Sequence, residues 1–380
     1  QAIGINYGRS HPRQAHAGNN RRQQRAAAMI QLMEKEYGPY WTRRGEMLLA
    51  ASAGSGAADT DLNVLVTAAK NFYLRKEFDE AVGAYERAGQ AAMKAGDVER
   101  AFNLLHAAAL IQRQRQQMVD AIARQRKLGL SLPQHPKAAL VHLQAVLDGA
   151  QVARDGASDS LDRYVALLEE HLGTWPSEPT ADKARLWLAR LREHRRDWPM
   201  ALEAYRGVSP ANEMLFGEAI NGTARCYDRL LTELRSNNQP TEGPAERAAR
   251  YFENIVYAGD TRLPARFAAT QRAASLHAAR MRLHFTDRDF HLAQSMLEAA
   301  LRGSPDASDD WKSQAYSLLV VAQANAQDIA AAQATLDNLA GGSPTRQLEM
   351  LRGLNGAAEN AGPDVRGKLA QLQLQVVTEL

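Results

Sequence analysis

Residues Ala181–Pro210, ADKARLWLARLREHRRDWPMALEAYRGVSP, read as two helices joined by a tight turn. A similar unit recurs about every 37–44 residues along the chain. A helix pair of this kind has an apolar face that it cannot cover alone, so neighbouring pairs must stack to bury it. The expected fold is therefore all-α: an α-solenoid of antiparallel helix pairs wound into a right-handed superhelix. Arrays of this type usually hold other molecules.

The rest of the composition agrees. Apolar residues make up 45% of the 380 and aromatic residues only 6%, with alanine dominating many segments. Alanine favours helix by propensity and lets helices approach closely. No sustained period-two alternation appears, so no sheet is expected. The 46 basic and 43 acidic residues leave a net charge of +3, too balanced to point to nucleic acid. A single cysteine, Cys226, excludes an internal disulfide framework and a cysteine-based zinc site. No apolar run reaches the roughly 18–20 residues that a membrane helix needs. The chain starts at Gln1 rather than Met, so we expect that a signal peptide or the rest of a longer polypeptide has been removed.

Residues 1–25 carry five arginines, no acid and several glycines, and read as a basic arm. Helices are expected over Ala26–Tyr37 and Tyr40–Ala53, then a loop, SAGSGAADTD (Ser52–Asp61). From Leu62 the pattern sharpens: Leu65, Ala69 and Phe72 share one face, LRKEFDE turns, and Ala81, Tyr85 and Ala88 mark the facing helix. A third helix from Asp97 is expected to run on through RQRQQMVDAIARQRK until Gly129 and Pro133 stop it. Further helices are expected over Lys137–Ala153, Asp159–Trp175, Gly217–Leu234, Ala245–Ala258, Pro264–Phe285 and Phe290–Arg302. Then come Asp310–Ala326, Ile329–Leu339, Thr345–Asn360 and Pro363–Leu380. SNNQPTEGP (Ser236–Pro244) reads as the clearest loop. Leu372, Leu374, Val376, Val377 and Leu380 leave an apolar end, which a solenoid would cover with more chain or a partner.

These units resemble tetratricopeptide repeats. That family places a small residue where its two helices cross, an aromatic or leucine one turn later, a second small residue beyond, and a closing proline. Ala81, Tyr85 and Ala88 match the first three places, and Ala201 and Tyr205 match two, with Val208 in the third. Ala293, Leu297, Ala300 and Pro305 match all four, while Ala332, Leu336 and Pro344 match three. LLEEHLGTWPSEPTADKA is similar to phrasing common in bacterial envelope members, which implies a periplasmic or envelope setting; the cytoplasm is the alternative. Arg185, His277 and His284 fall where first helices should be apolar unless the turns lengthen by one residue.

Nothing in the chain suggests an enzyme. There is no HExxH pair, no phosphate-binding glycine loop and no GxSxG elbow, and no cofactor or metal is expected. His284 and His291 flank a turn with Asp287 and Asp289, which we read as a solvated turn with capping aspartates. Cys226 reads as a buried structural thiol, and the Asn221-Gly222-Thr223 glycosylation triplet falls inside an expected helix. Two basic clusters, Arg113, Arg115, Arg124, Arg126 and Lys127, then Arg190, Arg192, Arg195 and Arg196, read as solvated faces, because no aromatic interleaving supports base stacking.

We therefore expect a basic arm (1–25), an N-terminal helical region (26–155), repeats (156–344) and C-terminal helices (345–380). The expected function is a non-enzymatic scaffold whose concave face, lined by first helices, binds a partner's peptide or helix. By the resemblance, the groove positions are Asn63, Lys70 and Tyr73, then Lys183, Trp187 and Arg190, then Arg282 and Phe285. The Lys/Asn combination that grips a chaperone's terminal carboxylate in some members is not reproduced across adjacent units. The alternative is a structural subunit of a stable assembly, buried through its outer helical faces, with the arm and the C-terminal helix as further contacts. No nucleic-acid partner is expected.

Overall fold

Every regular element among the described residues of the computed structural model is an α-helix. The structure describes residues 62–379 apart from 157–158, 287–288, 338, 340–343 and 360, with isolated residues 29, 32, 35–38, 40 and 44 before them. The basic arm, the Ser52–Asp61 loop, most of the first two expected helices, Asp287 and Leu380 lie outside the described residues. The described residues fall into two compact units, one up to Thr180 and one from Ala181 onward. None of their helices is long and apolar enough to cross a membrane.

The first unit runs through α1 (Leu62–Leu74), α2 (Phe78–Lys94), α3 (Val98–Gln114), α4 (Met118–Ser131), α5 (Ala138–Arg154) and α6 (Ser160–Thr174), and α7 (Pro179–His194) starts at its edge. The second continues with α8 (Trp198–Arg206), α9 (Glu213–Ser236), α10 (Glu242–Tyr257), α11 (Ala269–His284) and α12 (Phe290–Arg302). It ends with α13 (Asp309–Asn325), α14 (Ile329–Asp337), α15 (Pro344–Glu359) and α16 (Pro363–Glu379). Within each unit most successive helices pack on one another, and the short turns make them antiparallel.

One turn geometry is used again and again. Lys76, Gly96, Gln116, Arg196 and Gln327 all take the left-handed conformation, with φ of 64, 80, 62, 61 and 63°. The next residue's N–H then reaches the carbonyl five residues back: Glu77 to Phe72 at 2.9 Å, Asp97 to Ala92 at 3.0 Å, Gln117 to Gln112 at 3.0 Å. This Schellman closure satisfies carbonyls that the ending helix would leave bare. Asp97, Asp197 and Asp328 then cap the following helix by accepting from the backbone N–H three residues on. An apolar residue opens that helix and an alanine follows three places later. The crossing alanines Ala81, Ala201, Ala293 and Ala332 are all completely buried, as are Ala101 and Ala121. A methyl group at the crossing is what allows close contact between neighbouring helices.

This turn corrects the sequence reading in one place. The helix expected to continue from Asp97 through RQRQQMVDAIARQRK is two helices, α3 and α4, separated by the turn at Arg115–Gln117. Gln116 does there what Gly96 does one turn earlier. Three boundaries also move, the first being that of α9, which begins at Glu213 rather than Gly217 because Asn212 caps it by accepting from Leu215 N–H. α11 begins at Ala269 rather than Pro264, because Phe267 is buried and its N–H bonds the Gly303 carbonyl at 3.3 Å. α10 begins at Glu242, inside the expected Ser236–Pro244 loop, since a proline in a helix's first turn needs no N–H partner.

Within the first unit, side chains also connect helix pairs. The arginine cluster read as a solvated face is largely engaged: Arg113 reaches Asp148 at 3.0 Å, Arg124 reaches Glu86 at 2.9 Å, Arg126 reaches Glu170 at 2.6 Å, and Arg115 pairs with Asp79. Arg100 bonds Asn63 at 2.8 Å and Lys137 bonds Glu99 at 3.2 Å in the same way. Partners lie 35 to 44 residues apart in sequence, about one repeat. Most of these pairs are exposed, so each contributes at most about 1 kcal/mol. Their main effect is to fix register.

A buried polar chain lies in the first unit. His142 and His171 are fully buried beside Trp175, whose indole N–H donates to the Pro133 carbonyl at 2.9 Å. Arg126 holds the Glu170 carboxyl below its ordinary range, so Glu170 can only accept. His142 must then donate from Nε2 to Glu170, at 2.8 Å, and accept on Nδ1 from His171 Nδ1–H, at 3.3 Å. His171 Nε2 is left to accept from the Thr180 hydroxyl at 3.1 Å. Both rings are neutral in this arrangement. Burial lowers both pKa values, that of His171 to about 4.

Candidate binding groove

In the second unit, the first helices of successive pairs leave a groove between them. On α9, Cys226, Tyr227 and Leu231 are buried, while Arg225, Arg229 and Thr232 are exposed on the other face with Asp228 half-buried beside them. Spacings of three and four residues put these four on one stripe. Together with Arg190, Glu193, His194, Arg196 and Trp198 before them, Glu233 on α9 and Arg280 on α11, they line a cavity of about 980 Å³.

The carboxylates of this cavity are already occupied. Arg225 binds Glu193 through two N–H groups, at 2.8 and 3.1 Å, and the Tyr205 hydroxyl donates to the same carboxylate. Burial alone would raise the Glu193 pKa, but these donors hold it below its ordinary value. The Trp198 indole donates to Glu233 at 2.7 Å, and Arg280 reaches Asp228 at 3.4 Å and Glu349 at 3.1 Å. Asp228 is the exception. Its Oδ1 is buried and finds no hydrogen-bond partner among the described residues, and burial pushes its pKa up despite Arg280. Arg196 and Arg229 are both exposed and hydrogen-bond to no side chain among the described residues.

A smaller cavity of about 100 Å³ opens beside Arg280, between α11, α13 and α15. Leu276, Leu318, Val321 and Met350 line it together with the polar His277, Arg280, His284, Gln314, Ser317, Arg346 and Glu349. Burial and the nearby Arg280 push both histidines down to about 4, so both are neutral at pH 7.

The residues proposed from sequence do not form a single site. Asn63 and Lys70 are exposed on α1, and Asn63 is engaged by Arg100. Tyr73 is half-buried, edge-on to Phe78, and its hydroxyl donates to Gln114 at 3.0 Å. Lys183 is exposed and Trp187 half-buried on α7, and neither lines the two cavities. Arg190 does line the larger one, and pairs there with Glu218. Arg282 is only 12% exposed and is held by Glu246 and Glu253, both at 2.6 Å. Phe285 packs against the core beneath the Arg235 guanidinium, 4.9 Å away. Arg225, Asp228, Arg229 and Arg280 were missed, although the polar stripe on α9 is readable opposite Cys226.

Other candidates resolve simply. Cys226 is buried and its thiol is pushed up to about 12, which keeps it protonated and inert. Asp289 caps α12 by accepting from Leu292 N–H at 3.0 Å, and no group of three metal-ligating side chains occurs among the described residues.

No protein-family model and no curated protein matches the chain. Solved structures do resemble it. A tetratricopeptide repeat protein from Parabacteroides merdae aligns over 82% of this chain and 98% of its own, at 11% identity and a TM-score of 0.29. The TPR2AB domain of yeast Sti1, solved in a complex with pHSP90, aligns over 83% of this chain and 98% of its own, at 13% identity and a TM-score of 0.30. At such scores, what those proteins bind has no bearing on this chain.

Proposed function

We propose that this protein is a non-enzymatic scaffold and that the groove along α7, α9 and α11 holds an extended segment of a partner protein. The observation that carries the reading is the 980 Å³ cavity between successive first helices, whose lining includes the exposed Arg190, Arg196, Arg225, Arg229 and Glu233. Side chains fixed by their neighbours, as Arg225 is by Glu193, present donors at small entropic cost. A photo-crosslinking residue at the exposed groove position Thr232, compared with one at exposed Glu203 on α8, tests this. We expect a partner segment to crosslink at 232 and not at 203. Crosslinks confined to 203 would replace the groove reading with the second one, a subunit buried through its outer faces. That reading is supported by Leu374 and Val377, each 64% exposed on α16.

A further inference from the structure

The chemistry of the groove narrows the partner. Its five arginines outnumber its three carboxylates, of which Glu193 is bound by Arg225 and Tyr205 and Glu233 accepts from the Trp198 indole. The cations are not all consumed, since Arg196 and Arg229 reach solvent without a hydrogen-bonded partner. What remains on offer is positive charge, so an occupant must bring negative charge. Trp198, only 8% exposed and tied to Glu233, offers no face for base stacking. The smaller cavity, whose most open apolar residue is Leu318, shares Arg280 with the larger one, so the same segment can reach both.

We propose that the groove takes an acidic peptide segment with an adjacent apolar side chain. Its carboxylates bind Arg196 and Arg229, and the apolar side chain enters the cavity beside Arg280, against Leu318. This rests on the groove reading above and adds the partner's chemistry to it.

The test is a random peptide library selected on the full chain, followed by anisotropy with labelled peptides. Arg196→Gly and Arg229→Gln together remove the two cations. The first also suits the backbone, which has φ of 61° at that residue, so the variant should melt no lower than the parent. We expect acidic sequences with one apolar residue to be enriched, with affinity falling about tenfold or more in the double variant and falling with salt. Arg229→Glu should in turn accept a peptide with lysine in place of one acid, a charge swap that a folding defect could not produce. Leu318→Gln should remove the apolar preference alone. Neutral or basic peptides that still crosslink at 232 would overturn this proposal while leaving the groove intact. A library with no groove-dependent binder would sink both. An oligonucleotide that competes more strongly than the acidic peptides would also overturn it.

Discussion

At the scale of single residues, small side chains decide where the helices can lie. A β-carbon built on Gly222 would sit 2.3 Å from the Tyr205 ring, which is itself completely buried. Neither side can move without opening the core between α8 and α9. Gly222→Ala should therefore cost about 1–3 kcal/mol or more, read as a lower denaturant midpoint, even though alanine is the better helix former. Ala201→Leu should cost a similar amount for the same reason, because its methyl fills the crossing. A wild-type melt for both variants would contradict the register described above. Alanines at crossings were readable in the sequence because their spacing to Tyr85, Tyr205 or Leu297 repeats. Gly222 was not, because the residue that demands it lies 17 positions away, in another helix.

At the scale of the element, the left-handed turn residue is the device that ends one helix and starts the next. A side chain in this conformation costs about 1–2 kcal/mol, of which glycine's extra freedom when unfolded returns about 0.5–1. Gln116→Gly and Gln327→Gly should thus raise stability by about 0.5–1 kcal/mol each, and Gly96→Ala should lower it, all three measurable by thermal melts. This also explains what could and could not be read in advance. Gly96 with Asp97 announces a break, whereas Arg115-Gln116-Gln117 has only strong helix formers, and the one sign left there is Met118 with the buried Ala121 three places on, the spacing of the other turns. The groove had the same difficulty. Its pattern on α9 is plain, but which faces of α7 and α11 join it depends on loop lengths that shift the register. His277 and His284 fall beside the inward Leu276 and Leu283 rather than in their place.

At the scale of the whole molecule, buried neutral histidines make stability depend on pH. The folded pKa of His171 lies at about 4, below its ordinary 6.5, so between these values the unfolded chain binds more protons than the folded one. Its contribution is present in full above about pH 6.5 and is lost as the pH falls toward 4. The upper bound is about 3 kcal/mol. Urea unfolding at pH 7, 5.5 and 4.5 should show this decline, and His171→Gln should flatten it; an unchanged slope would mean that the ring is protonated in place. The charged links between helix pairs have a mechanical consequence. Each joins side chains about one repeat apart, so under tension the links act as successive catches, and a catch that gives way frees the chain wound between its two ends. Pulled from its termini in a force clamp, a unit should lengthen in increments of about 13 nm, roughly 36–38 residues at ~3.6 Å each, rather than in one rupture. Raised salt should lower the force of each increment and leave its length unchanged.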